Sequence, residues 1–539
     1  MTTWLPSTLV LKEGRALAPI WLGAVVTIVA AAQAGLLAGS MLAFILGAAA
    51  LGVFSIGHEY SHRTLTSLLA QPLSRSRLLL SKIAVLAPLL ALLSLVAALV
   101  LLRADGIERV LGGGTLGARW RLAIVLLTPL LGLSVAPWLT MVFRSPMAGL
   151  VFTPAVPAAL WIAGQIARAA SVDFDFVELE VGSPFAYEPA LVLITVGVLA
   201  LSIVAIVHGR SLFVGLEALD TPRDLVPFRV ERLPLARTEA VTTHRRGAGR
   251  SLFLFVQKEV RLYGLAFALA ALYAAGWSAM WLAGTGAYVA GDSFDVLGGM
   301  YGLFVAVVVG AISIAEERAL GTADMQILQP WPFWKLSLVK LATVGVIALV
   351  LGLALPTGLE AALPLIGDPG AVGPSLGLFR FYLPAPLSGG TATILLTTLF
   401  SCYASTLCVG GLRALLVALP LSFGLASLFP NLFFTIDRFH RAVLAHLYGP
   451  SDRPWWDGLP TATNADFRTS FLYSRYAATA ALIGFTALIL LLCLRNFRSG
   501  ERGTNVARTQ LPWVVLYVAL AVVLIRGGGA VLEWWVFTH

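Results

Sequence analysis

The chain predicts an all-α polytopic membrane protein, and three observations carry that prediction. Of its 539 residues, 58% are hydrophobic and 12% are charged, against roughly 25% charged in a soluble domain. Mean hydropathy is +0.86. Apolar runs of about 20 residues, the length that crosses a bilayer as helix, recur along the whole chain. They do not alternate with a period of two, so helices rather than a barrel must satisfy the backbone polar groups in lipid.

Taken in order, the predicted spans are 17–36, 39–57, 83–102, 122–143, 147–168 and 189–208, then 264–284, 297–315, 341–359, 389–409, 412–430 and 476–494. A thirteenth apolar run, 511–533, follows. Between the two sets of six lies 209–250, with eight arginines against five acids. The turn 495–510 holds Arg495, Arg498, Arg502 and Arg508 against Glu501. The positive-inside rule makes both cytoplasmic and the N-terminus with them, although the basic loop 103–121 runs against this count. A net charge of +9 is therefore read as topology, and nucleic acid is not an expected partner. Cys402, Cys408 and Cys493 lie in apolar runs without metal-type spacing and read as small buried side chains. Trp455-Trp456 and Trp534-Trp535 read as interfacial anchors.

The chain repeats itself. Lys12-Glu13-x-Arg15 before the first span returns as Lys258-Glu259-x-Arg261 before the seventh. Residues 57–82 return, without a gap, at 315–340. Glu59 matches Glu317, Thr64 matches Thr322, Gln71-Pro72 matches Gln329-Pro330, and Lys82 matches Lys340. An even number of spans per copy predicts two parallel six-helix repeats, a plan that leaves a pathway between halves. Because its start recurs inside the chain, the N-terminal apolar segment is read as retained and not as a signal peptide.

His58-Glu59-x-x-His62 fits the H-E-x-x-H pattern, in which two histidines four apart hold zinc and the Glu serves as general base. The second copy has Glu316 and Leu320 where the first has the histidines, and no third-ligand motif accompanies them. No metal site is expected. A membrane zinc peptidase remains an alternative reading, as does a secondary carrier with parallel repeats, though such carriers use ionisable residues at mid-membrane, which are nearly absent here.

The segment 57–82 resembles the cytoplasmic segment after the second helix of ABC-2-type transporter permeases. Glu59, Arg63-Thr64-Leu65, Pro72, Ser74-Arg75 and Lys82 carry the resemblance, with Glu317, Gly321-Thr322, Pro330 and Lys340 as a sparser second set. It implies a fused permease with these parts: a first half, 1–208, with elbow helix 7–16 and coupling segment 58–82; an Arg-rich linker, 209–250; a second half, 251–496, with elbow helix 252–263 and coupling segment 316–340; and 497–539, a turn and a last transmembrane helix. It implies ATPase contacts at Glu59, Arg63, Thr64, Gln71, Pro72, Glu317, Arg318, Thr322, Gln329 and Pro330. The elbow residues are Lys12, Glu13, Arg15, Lys258, Glu259 and Arg261. It points to the second and fifth spans of each half as the cavity lining. There Pro154, Pro157, Gln165 and Pro420 are the candidates for gating. The chain has no G-x-x-x-x-G-K-[ST], so no enzyme activity or cofactor of its own is expected. ATP and Mg belong to separate ABC ATPase subunits, two copies being expected. The expected activity is export of a hydrophobic or amphiphilic small molecule, drug-like or lipid-like, across the plasma (inner) membrane.

Overall fold

Every element is helical wherever the chain is described. The structure is a computed structural model. It describes residues 7–33, 37–61, 74–102, 115–172, 188–215, 248–282, 292–319, 332–366, 390–408, 410–419, 421–422, 480–497 and 504–538. Among the described residues nine helices are long and apolar enough to cross a membrane. The chain divides into two compact units: Met1–Phe294 with Thr357–Gly373, and Asp295–Pro356 with Pro374–His539.

In the first unit α1 (Ser7–Gln33) is one helix running from the predicted elbow into the first span, with Pro19 inside it. Elbow and span continue as one helix through Pro19. Glu13, Leu17, Ala24 and Ile28 are buried along one side, at the spacing of a helical stripe. The second elbow differs. There α8 (Ala248–Leu262) ends at a turn on Tyr263 before α9 (Gly264–Leu282) begins. Glycine at 264 weakens helix continuity at that point.

The helix α2 (Leu37–Ser61) is the hub of the first unit. It packs against α1, α3 (Arg75–Leu102), α4 (Thr115–Leu133), α5 (Val135–Phe143) and α6 (Pro146–Val172). In its most apolar stretch 78% of residues are buried, against 28% for α3 and 22% for α7 (Glu188–Gly215). These outer helices turn leucine and valine to the lipid side, as at Leu92, Leu95 and Leu99. The hub admits neighbours closely because it carries glycine: a Cβ at Gly52 would lie 1.9 Å from the Gly132 carbonyl oxygen.

The predicted span 122–143 is broken at Ser134 into α4 and α5. Pro137 explains the break. It has no N–H to give to Leu133, and its ring presses on that carbonyl. Ser134 Oγ meanwhile donates to Leu130 O at 2.6 Å. At the end of α5, Arg144 takes a left-handed conformation, φ 50°, which costs an L-residue about 1–2 kcal/mol. Arg144→Gly is therefore expected to raise the midpoint of thermal unfolding in detergent, by the equivalent of about 1 kcal/mol. The prolines Pro154 and Pro157 lie half-buried within α6, which runs through both. Gln165 lies on the same helix.

In the second unit the corresponding hub is α10 (Asp292–Ala319), 83% buried in its apolar stretch. Beside it, α11 (Phe333–Leu349) passes through a π-helical turn, Val350–Ala354, into α12 (Leu355–Ile366), whose residues from Thr357 on belong to the first unit. Pro356 sits just beyond that turn. A wider turn absorbs the clash a proline makes with the carbonyl four residues before it. Gly302 and Gly352 let α10 and this turn touch backbone to backbone. The remaining elements are α13 (Gly390–Leu407), α14 (411–419), α15 (Ala480–Phe497) and α16 (Thr504–Thr538). Phe400 and Tyr403 of α13, Phe485 and Ile489 of α15, and Val514 of α16 share one apolar cluster. The thirteenth apolar run is thus an integral helix of the second unit.

Candidate functional site: two buried carboxylate–lysine nodes

Each hub helix ends on a glutamate. Negative charge is unfavourable at a helix C-terminus, where the last carbonyls already present negative partial charge. Burying that glutamate requires cations and donors. Glu59, in the last turn of α2, is fully buried, and the chain surrounds it with them.

Lys82 comes from the buried face of α3. Its ammonium lies 2.7 Å from Glu13 Oε1, 3.6 Å from Glu59 Oε1 and 2.8 Å from the Ser55 carbonyl oxygen. It therefore ties α1 and both ends of the segment between α2 and α3 to one point. Lys12, half-exposed, reaches Glu59 Oε1 at 3.4 Å from the rim. His58 turns Nδ1 to the Phe54 carbonyl at 2.9 Å, so that nitrogen donates. Its Nε2 faces Glu59 Oε1 at 3.0 Å. The order is imidazole, carboxylate, ammonium, carboxylate.

In the second unit Glu317, in the last turn of α10, receives Lys340 from α11 in a direct ion pair. Both side chains are buried. Arg318 donates to the Thr406 carbonyl at the end of α13. Glu259 of the second elbow is buried like Glu13, while Lys258 and Arg261 are exposed like Lys12 and Arg15.

The helix starts repeat as well. The Ser74 carbonyl accepts from the N–H groups of Arg77 and Leu78, and the Pro332 carbonyl from those of Lys335 and Leu336. Arg75 in addition donates to the Val214 carbonyl at the end of α7, a favourable place for a cation. The second copy has Phe333 there.

The sequence repeat also extends further back than residue 57. Gly52-x-x-Ser55-Ile56-x-x-Glu59 matches Gly310-x-x-Ser313-Ile314-x-x-Glu317. Ser55 Oγ donates to Gly52 O at 2.7 Å, and Ser313 Oγ to Gly310 O at 2.6 Å. Both glycines are sites of closest helix approach: Gly52 against Gly132, and Gly310 against Thr398 and Ser401. Four identities in eight positions were the signal.

Of the predicted contact residues, Glu59, Glu317 and Arg318 fall in these nodes. Arg63, Thr64, Gln71, Pro72, Thr322, Gln329, Pro330 and Pro420 lie outside the described residues, as does His62. Glu13, His58 and Glu59 offer donor atoms within 4.8 Å of one another, a spacing that suits a metal ion. The Lys82 ammonium already lies between the two carboxylates, however, and a divalent cation there would meet it at close range. Glu59 Oε1 also has cations on two sides, Lys12 at 3.4 Å and Lys82 at 3.6 Å.

No curated protein and no solved structure matches the chain. Residues 19–156, which cover α2 to α5 with most of α1 and the start of α6, match the family model described as ABC-2 family transporter protein. That stretch of the first half is thus similar to the membrane part of ABC-2 family transporters.

Proposed function

We propose that this chain is a permease of an ATP-driven exporter, both halves fused, working with two separate ABC ATPase subunits below an inner membrane. The two segments 58–82 and 316–340 are its coupling elements. One observation carries this reading: each segment leaves a hub helix at a buried glutamate, and the helix that follows it returns a buried lysine to the same place. A shift imposed on either segment therefore acts directly on the most buried helix of its unit. The outward faces of α3, α7 and α16 are apolar, and the substrate proposed is a lipophilic or amphiphilic small molecule.

The test is co-expression with candidate Walker-A ATPases, followed by purification on a tag carried by the permease. Two ATPases per chain are expected. The variant Glu59→Gln with Glu317→Gln should keep the ATPases bound but lower dye export from proteoliposomes by about tenfold, the rate equivalent of about 1.4 kcal/mol. Nucleotide-independent transport by the chain alone would overturn the reading.

A further inference from the structure

Two side-chain amides are buried where α15 turns back into α16. Asn496 is 1% exposed and Gln510 6%. Asn496 lies in the last turn of α15 and Gln510 in the second turn of α16, in an arginine-rich stretch of sequence where solvated side chains are the ordinary occupants. A buried amide costs free energy unless its donors and acceptors are met. Here they meet each other: Asn496 Nδ2 donates to Gln510 Oε1 at 3.1 Å, and Gln510 Nε2 donates back to Asn496 Oδ1. Asn496 Nδ2 also donates to Thr406 Oγ1 at 2.9 Å. The backbone carbonyl of that same threonine accepts from Arg318. Arg318 follows Glu317, which holds Lys340. Polar contacts, joined through the backbone of Thr406 and of Arg318, thus link α16 to the residues on either side of the second coupling segment's turn.

We propose that Asn496 and Gln510 are positioning residues: through Thr406 and Arg318, the C-terminal helix α16 sets how α10 leaves for the second coupling segment. A buried, mutually satisfied amide pair fixes register in this way because a displaced arrangement strands polar groups. At the first node Glu13 and Lys12 of α1 hold Lys82 and Glu59. This proposal rests on the reading of 316–340 as a coupling segment only for its consequence in ATPase binding.

The test is hydrogen exchange by mass spectrometry on the purified full chain in nanodiscs, for wild type, Gln510→Leu and Thr406→Val. Thr406→Val keeps the amide pair and the shape of the side chain, so it reports even where Gln510→Leu folds poorly. In both variants exchange is expected to rise several-fold in 316–319 and 333–340 and to stay unchanged in 58–61 and 75–82. The double variant Asn496→Leu with Gln510→Leu leaves no stranded amide, and should restore yield without restoring protection at 316–319. Equal increases at both nodes, or no change at either, would overturn the proposal. In parallel, ATPase retained by Gln510→Leu should fall from two copies toward one. The exchange arm needs no ATPase. A wild-type chain that captures none refutes the permease reading, while the exchange difference still decides this one.

Discussion

Lys82→Met is expected to be the most damaging single substitution at either node. It removes the ammonium that lies 2.7 Å from Glu13 and 3.6 Å from Glu59 and leaves two buried carboxylates without the cation between them. Breaking a buried ion pair by removing one partner costs about 3–5 kcal/mol, a large share of the stability of most proteins. Fluorescence-detected size exclusion should show the variant largely aggregated. The triple variant Lys82→Met, Glu13→Gln, Glu59→Gln removes the uncompensated charge along with the cation, and buried ionic groups replaced together are often tolerated. It should recover a monodisperse peak. A triple variant as aggregated as the single one would show that the ammonium acts through its bond to the Ser55 carbonyl and not through charge balance.

The second large effect is expected at the paired glycines. At Gly52 an added methyl meets a backbone oxygen at 1.9 Å, and at Gly310 it meets the Thr398 carbonyl oxygen at 2.5 Å. Neither obstacle is the flexible end of a side chain, so relief requires two helices to separate. Overpacking costs roughly 1–3 kcal/mol where side chains can yield. Here Gly52→Ala and Gly310→Ala should each reach or pass the upper end. Gly23→Ala on α1 is the control. Nothing lies within 4 Å of its added methyl, and alanine gains about 0.5–1 kcal/mol over glycine inside a helix. The ranking is read from thermal unfolding midpoints in one detergent. Comparable midpoints for Gly23→Ala and Gly52→Ala would refute the close approach.

The membrane class and the repeated Glu59/Lys82 and Glu317/Lys340 pairs were legible in the sequence, because hydropathy and fixed spacing are local properties. What each lysine holds was not. Glu13 stands 69 positions from Lys82, and no spacing rule links an elbow residue to the third helix. The break at Ser134 was present in the sequence as Pro137, hidden by an unbroken apolar run. Asn496 and Gln510 escaped notice for the opposite reason: amides among arginines look like solvent-facing residues until the fold buries them. The histidines of the zinc-like pattern have no counterpart in the second copy. Even so, His58 lies against Glu59 within the node itself.

The contrast between the unbroken α1 and the interrupted pair α8 and α9 has a mechanical consequence. A rod transmits a push along its whole length, so displacement at Lys12 and Glu13 reaches Ile28, deep among the buried side chains, with little loss. A joint at Tyr263 and Gly264 lets the amphipathic piece pivot while the span beyond it keeps its tilt. Equal displacements of the two amphipathic pieces would then carry unequally far into the apolar helices that follow them.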